Sequence, residues 1–157
     1  MLCLEGQQAG LSWRTILRKE KEYRRVFHGF YPEAVLSMGG EEIEAAMRNP
    51  GIIRNRQKVM AVIRNAEALR SLLEGGEFQS FAGYVWHFTG GRRIVHHPRV
   101  LADIPAEDDL SGRVSADLRR RGFAFCGPVI IYSFLQAAGV IDDHLEGCPC
   151  KICPERP

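Results

Sequence analysis

The sequence predicts an all-α fold. Apolar residues recur at helical spacing along most of the chain, glycine or proline separates the periodic segments, and strand signals are confined to short stretches such as Arg93 to His96. With 157 residues, 45% of them hydrophobic and 25% charged, the chain is sized for one cored domain and lies outside the disordered, collagen-like and coiled-coil classes. Residues 1–147 are expected to form that domain, with 148–157 as a cysteine-rich tail. Lys plus Arg number 21 against 19 Asp plus Glu, so the net charge of +2 leaves any nucleic-acid footprint to local patches.

From Ser12 to Phe27, an apolar stripe of Trp13, Ile16, Leu17, Tyr23 and Phe27 faces one way while Arg14, Arg18, Lys19, Lys21 and Arg24 take much of the rest. This is an amphipathic helix with a basic exterior. Pro32 opens a short helix through Met38, where its missing N–H costs little, and Gly39-Gly40 ends it. Glu41 to Arg48 forms another short helix over Ile43, Ala46 and Met47. Beyond Asn49-Pro50-Gly51-Ile52-Ile53, a longer helix with Val59, Val62, Ile63, Ala66, Leu69 and Leu73 on one face reaches Gly75-Gly76. Phe78 to Phe88 fits a helix or a short strand, and its neighbours favour helix. Thr89 to Asp109 reads as an extended connection. Leu110 to Arg121 is helical, with Arg119, Arg120 and Arg121 at the end that favours cations and Gly122 as the stop. Pro128 to about Val140 is an apolar helix too short to span a bilayer.

The N-terminus lacks the basic start, apolar middle and small-residue cleavage site of a secretory signal. Of five cysteines, Cys148, Cys150 and Cys153 crowd the end of the chain near His144, which suits a metal or reduced thiols better than a disulfide framework. A cytosolic protein without membrane attachment is expected.

Two stretches carry chemistry. Met47 to Ala61 is written as helix, apolar-Gly-apolar hairpin and basic helix start, the pattern of a helix-hairpin-helix DNA module. Gly51 permits close approach of a phosphate, the N–H groups opening the next helix face it, and the helix dipole favours its charge. Arg54, Arg56 and Lys58 add Coulomb attraction, and such contacts hold a duplex in register without reading its sequence. The same pattern also fits a plain helical hairpin with solvated arginines. In Leu4 to Trp13 (LEGQQAGLSW), Glu5, Gln7 and Gln8 stand among apolar or small residues just before a helix start at Ser12. A carboxylate and an indole on adjoining elements can grip a flat, electron-poor ring, and a base removed from duplex DNA must be stacked and hydrogen-bonded. Spacing alone favours a core tryptophan and a surface glutamate.

Taken in order, LEGQQAGLSW, the GIIRNRxK hairpin, RRRGFxFxGP, YSFLQAxG and DDH with a cysteine four residues after His144 resemble the 3-methyladenine DNA glycosylase I (Tag) family of helix-hairpin-helix base-excision enzymes. The resemblance runs from residue 1 to about 148. It implies a compact helical glycosylase domain, a monomer acting on double-stranded alkylated DNA. The implied reaction is hydrolysis of the N-glycosidic bond of 3-methyladenine, leaving an abasic site without strand cleavage. On that resemblance Glu5 matches the catalytic carboxylate that hydrogen-bonds the extruded base, and Trp13 the aromatic stacked on it. Gly10 and Leu11 match the loop that probes the gap in the duplex, while Gly51, Ile53, Arg54 and Lys58 fall in the phosphate clamp. Tyr132 and Ser133 lie in a family motif without an assigned role.

The resemblance also implies a structural zinc. His144 and Cys148 match two of its four ligands, and the other two, with an aromatic stretch that helps enclose the base, are expected upstream of Met1. Zinc takes four tetrahedral ligands in a closed site, so Cys150 and Cys153 are the local substitutes in the pattern H-x3-C-x-C-x2-C. A thiol-bearing tail without metal is the alternative. Asn49-Pro50 stands where the family more often has Asp-Ala, and Val129 replaces a common hydroxyl residue; both bear on phosphate affinity. His28, His87, His96 and His97 lack ligand spacing and are expected to be surface or satisfied histidines.

The chemistry agrees with the implied roles. Methylation at N3 makes the adenine cationic, so the glycosidic bond is weakened and the base departs neutral. Selection, extrusion and stabilisation of cationic character remain, which a buried carboxylate and a tryptophan face supply electrostatically. Two other readings stay open from the sequence: a catalytically impaired DNA-binding protein that keeps only the hairpin, and a zinc-stabilised helical interaction module.

Overall fold

The computed structural model describes residues 1–151, whose regular structure is eight α-helices, two single-turn 3-10 helices and one two-stranded ladder. α1 (Leu2–Gln8) occupies a stretch to which spacing assigned no element. α2 (Trp13–Val26) starts where Ser12 Oγ accepts the Thr15 N–H at 3.3 Å. α3 (Pro32–Leu36) opens on proline, and α4 (Gly40–Arg48) leads into the hairpin. α5 (Arg56–Glu74) is capped by Asn55, whose Oδ1 accepts the Lys58 N–H at 3.1 Å. α6 (Phe81–His87) settles the ambiguous aromatic segment as helix, with Ser80 Oγ accepting the Gly83 N–H at 3.0 Å. After β1 (Ile94–Val95), α7 (Asp109–Arg120) is opened by a reciprocal cap between Asp108 and Ser111. It closes at Gly122, whose φ of +93° lets the Phe123 N–H reach the Leu118 carbonyl at 3.0 Å. α8 (Pro128–Ala137) ends the same way at Gly139, short of the expected Val140, and the chain enters β2 (Ile141–Asp142).

The expected strand near residues 93–96 exists, but its partner was not foreseen. β1 and β2 run parallel, with Ile94 opposite Ile141 and Val95 opposite Asp142. Two residues are too few for alternation to register in a sequence. The fold class stays helical, and the ladder serves to bring His96 to Asp143.

α5 is buried on two faces, which places it at the centre. Val59, Val62 and Ala66 lie on one face, while Ala61, Asn65, Ala68 and Leu72 lie on the other. The apolar stripe in the sequence captured only the first, and its last member, Leu73, is 37% exposed. Ile16, Tyr23, Phe27, Val35, Val59 and Val62 belong to one apolar cluster; Leu72, Tyr84, Val114, Leu118, Ile131 and Leu135 belong to a second. α1 straddles both, with Leu2 in the second and Leu4 in the first.

Residues 148–151, expected to begin a separate tail, fold back on the body. The Cys148 N–H meets the Leu145 carbonyl at 2.9 Å, and the Lys151 ammonium donates to the His96 carbonyl. Cys153 lies outside the described residues. Among the described residues no helix is long and apolar enough to cross a membrane.

Candidate active site and nucleic-acid interface

α1, the start of α2 and α8 enclose a cleft. Glu5, Gln8 and Trp13 line it together with Ser133, Gln136 and Ala137, and its volume of about 380 Å³ falls in the range of small-molecule sites. The two residues singled out for gripping a base are therefore brought together. Glu5 is not the surface residue that spacing favoured. It is 5% exposed, yet among the described residues its carboxylate has neither a hydrogen bond nor an ion pair. Burial pushes its pKa up, offset in part by the N-terminal ammonium. The carboxylate oxygens keep contact with solvent in the cleft, so the group is partly desolvated and without a protein partner, and a cationic or donor-bearing ligand relieves the cost of that desolvation. Trp13 is half-buried at the first residue of α2, so the Ser12 cap fixes where the indole begins.

Gly10 and Leu11 form the turn between these helices. Gly10 has φ +75°, Gln8 Nε2 closes the turn on the Leu11 carbonyl at 2.6 Å, and the Leu11 side chain is exposed. An apolar tip thus stands next to a cleft-lining residue.

The hairpin between α4 and α5 corrects several expectations. Gly51 is required, but by the protein itself: a Cβ there would lie 2.4 Å from Glu22 Cγ and 3.0 Å from Asn49 Oδ1. Its N–H donates to Asn49 Oδ1 at 2.7 Å, and Asn49 Nδ2 donates to Glu22 Oε1 at 2.6 Å. Arg25 and Asn49 hold Glu22 ionised, with its pKa down to about 2. Ile53, expected in the phosphate clamp, has its N–H committed to Tyr23 Oη at 3.0 Å. Lys58, expected as a surface cation, is 5% exposed, and its ammonium donates to the carbonyls of Gln7 at 2.8 Å and Ala9 at 2.6 Å. Burial lowers its pKa. Lys58 therefore ties the C-terminal end of α1 to α5, where a cation meets the negative end of a helix. Arg56 pairs with Glu44 at 2.6 Å. Arg54 is exposed and without an ion pair among the described residues, beside the N–H groups of Arg56 and Gln57, which helix geometry leaves unpaired.

One buried network joins this hairpin to α1, the helix that carries Glu5. Tyr23 Oη donates to Gln7 Oε1 at 3.2 Å, and Gln7 Nε2 donates to the Lys58 carbonyl at 2.9 Å. Sequence reasoning noticed Gln7 as an oddity but missed Tyr23, because a tyrosine in an apolar stripe looks like any other core aromatic.

Asp143 was missed as well. Its side chain is 5% exposed and accepts from Tyr132 Oη at 2.7 Å and Gln136 Nε2 at 2.6 Å, while His96 Nδ1 lies 2.6 Å from its other oxygen. Burial works to raise its pKa, but these partners outweigh burial and hold the carboxyl below its usual range. Tyr132 thereby gains a role, and His96 is a satisfied histidine as expected. The DDH triplet carries the signal, since its second aspartate is Asp143.

His144 and Cys148 also meet, together with Cys150: their donor atoms all lie within 4.8 Å of one another. His144 Nδ1 is bonded to Asp142 Oδ1 at 2.8 Å, which leaves Nε2 to face a metal. One imidazole and two thiols are a donor set suited to zinc.

A helical body, a hairpin feeding a helix N-terminus and a cleft that pairs an unpartnered carboxylate with an indole define a helix-hairpin-helix DNA glycosylase. The comparisons are narrower. The sequence model described as methyladenine glycosylase matches residues 1–151, and the chain belongs to that family. It is 42% identical over 150 residues to DNA-3-methyladenine glycosylase of Haemophilus influenzae, covering 96% of this chain and 80% of that protein. It is 44% identical over 150 residues to DNA-3-methyladenine glycosylase 1 of Escherichia coli K12, covering 96% and 79%. A crystal structure of 3-methyladenine DNA glycosylase I superposes with a TM-score of 0.92 at 44% identity, over 96% of this chain and 82% of the other. The Staphylococcus aureus enzyme, solved for its recognition of 3-methyladenine, superposes with 0.91 at 37% identity, over 97% and 80%.

Proposed function

We propose that this chain excises 3-methyladenine from alkylated double-stranded DNA, hydrolysing the N-glycosidic bond to leave an abasic site and an intact strand. The observation that carries this reading is Glu5, a nearly buried carboxylate without a protein partner in the cleft it shares with Trp13. A base methylated at N3 brings the positive charge that this carboxylate lacks, and the indole offers it a negative π face. A normal adenine brings no charge, so it recovers less of the cost of leaving the stack. Arg54 and the start of α5 hold the backbone, while Leu11 is the side chain available to fill the gap. Water then adds at the sugar carbon as the base departs neutral, and the ionised Glu5 stabilises the cationic character that develops.

The test is release of free 3-methyladenine from methylated duplex DNA by the wild-type protein and by Glu5→Gln. Release by the wild type, falling on the order of 100-fold in the variant, is expected. Salt-sensitive DNA binding with no release at all would select the impaired DNA-binding reading instead.

In the same reading the enzyme acts as a monomer. We place it in the cytosol, where free thiols such as Cys3, Cys126, Cys148 and Cys150 persist. We further propose that His144, Cys148 and Cys150 hold a structural zinc, with Cys153, outside the described residues, as the fourth ligand, which would brace the segment after β2. Elemental analysis should find one zinc per chain in the wild type and a loss in Cys150→Ser. Zinc retained in full by that variant would rule out the local donor set.

A further inference from the structure

We infer that Gln136 recognises position six of the bound purine through a carbonyl acceptor whose orientation Asp143 fixes, so that the cleft selects a base with an amino group there over one with an oxygen. This deepens the glycosylase reading and rests on it for the placement of a purine in the cleft.

Gln136 lines the same cleft as Glu5 and Trp13. A glutamine amide can present either its oxygen or its NH₂, and its neighbours decide which. Here the neighbour is a carboxylate, which only accepts, so the NH₂ must be the group 2.6 Å from Asp143 Oδ2. The carboxylate cannot turn away, because Tyr132 Oη donates to the same oxygen at 2.7 Å and His96 Nδ1 holds the other at 2.6 Å. Gln136 Oε1 is left without a donor among the described residues. The cleft therefore offers two acceptors, this oxygen and the Glu5 carboxylate. An adenine-type base carries an N6 amino donor, whereas a guanine-type base carries an O6 acceptor at the same position. The first satisfies Gln136 Oε1, and the second sets two oxygens against each other.

Asp143 does not line the cleft, whereas Gln136, to which it is bonded, does, so Asp143 is a positioning residue and Gln136 the contact. Calorimetric binding of two free bases, 3-methyladenine and 3-methylhypoxanthine, isolates the effect, since these bases differ chiefly in the amino group or oxygen at position six. The wild type should bind 3-methyladenine about tenfold tighter. Gln136→Leu should bring the ratio of affinities close to one. Asp143→Asn should shift it the same way, because a neutral amide can donate as well as accept and so frees Gln136 to flip. A purely structural role would weaken both bases together and leave the ratio intact. Should Asp143→Asn fail to fold, the half-exposed Gln136→Leu decides alone. Equal or absent binding of the two bases by the wild type, or an unchanged ratio in Gln136→Leu, overturns the inference. Excision from methylated duplex DNA, run alongside, reports on the glycosylase reading separately: a preserved binding preference without release would sink that reading and leave the role of Gln136 standing.

Discussion

At Glu5 folding and function pull in opposite directions. The unfolded chain hydrates this carboxylate fully, whereas the folded chain buries it and raises its pKa. The folded state is therefore penalised while the group is ionised in both states. That penalty is complete at neutral pH and disappears as pH falls through the raised folded pKa toward the unfolded value near about 4.3. Glu5→Gln should consequently melt higher than the wild type at pH 7 and no higher at pH 4, even though its excision is lost. Excision by the wild type should decline with acid from a higher pH than an ordinary glutamate would dictate, because the ionised form does the work. Melting curves at the two pH values and an excision profile against pH test both halves; a variant that melts lower at pH 7 would show that Glu5 has a stabilising partner. Glu5 was legible in the sequence because a carboxylate in an apolar stretch is conspicuous. Asp143 was not, since its partners arrive from α8 and from beyond β1, as much as 47 positions away.

Elements were more legible than the direction of their side chains. Nearly every helix could be placed from periodicity and caps, but the pattern of basic residues after the hairpin did not distinguish Arg54, which faces out, from Lys58, which is buried. Helical spacing gives an angle about the axis, and the neighbour that fills that angle, here the end of α1, lies 49 residues away. The distinction is measurable. Arg54→Ala should weaken DNA binding and reduce the slope of log K against log salt by about 1, as removal of one phosphate contact does. Lys58→Met should leave that slope unchanged, because its ammonium meets carbonyls, and should lower stability by about 1–3 kcal/mol through the unpaired carbonyls left behind. A reduced slope in Lys58→Met would return it to the phosphate clamp. The hairpin glycine follows a similar logic. Gly51→Ala forces a Cβ against Glu22 Cγ and should cost about 1–3 kcal/mol. Glu22→Ala made in the same chain should recover much of that loss, whereas additive losses would mean that the clash lies elsewhere.

Across the whole molecule, the cleft depends on how two apolar clusters are held together. α1, which carries Glu5, contributes to both, and α8, which carries Gln136, belongs to the second. The all-α class and single-domain size could be read from composition and spacing, yet the division of the core could not, because a central helix buried on two faces shows one stripe and hides the other among alanines. Asn65 sits on that hidden face. It is 6% exposed, its Oδ1 accepts the Ala124 N–H at 2.7 Å and its Nδ2 donates to the Ala124 carbonyl at 3.2 Å. Two backbone groups of the segment between α7 and α8 thus depend on one side chain, and leaving a buried backbone group unpaired costs about 1–3 kcal/mol. Asn65→Leu fills the space but satisfies neither group, so it should lower stability by about 2–5 kcal/mol in denaturant unfolding. Asn65→Asp still accepts the N–H and loses only the donor, and it should fall between the two. Ala124 is hydrogen-bonded to Asn65 and not to the hairpin before α5, so in both variants the salt slope of DNA binding should match the wild type while excision declines with the loosened setting of α8. Loss of the salt slope together with stability would mean that the two clusters do not move separately and that the cleft and the phosphate clamp form one rigid unit.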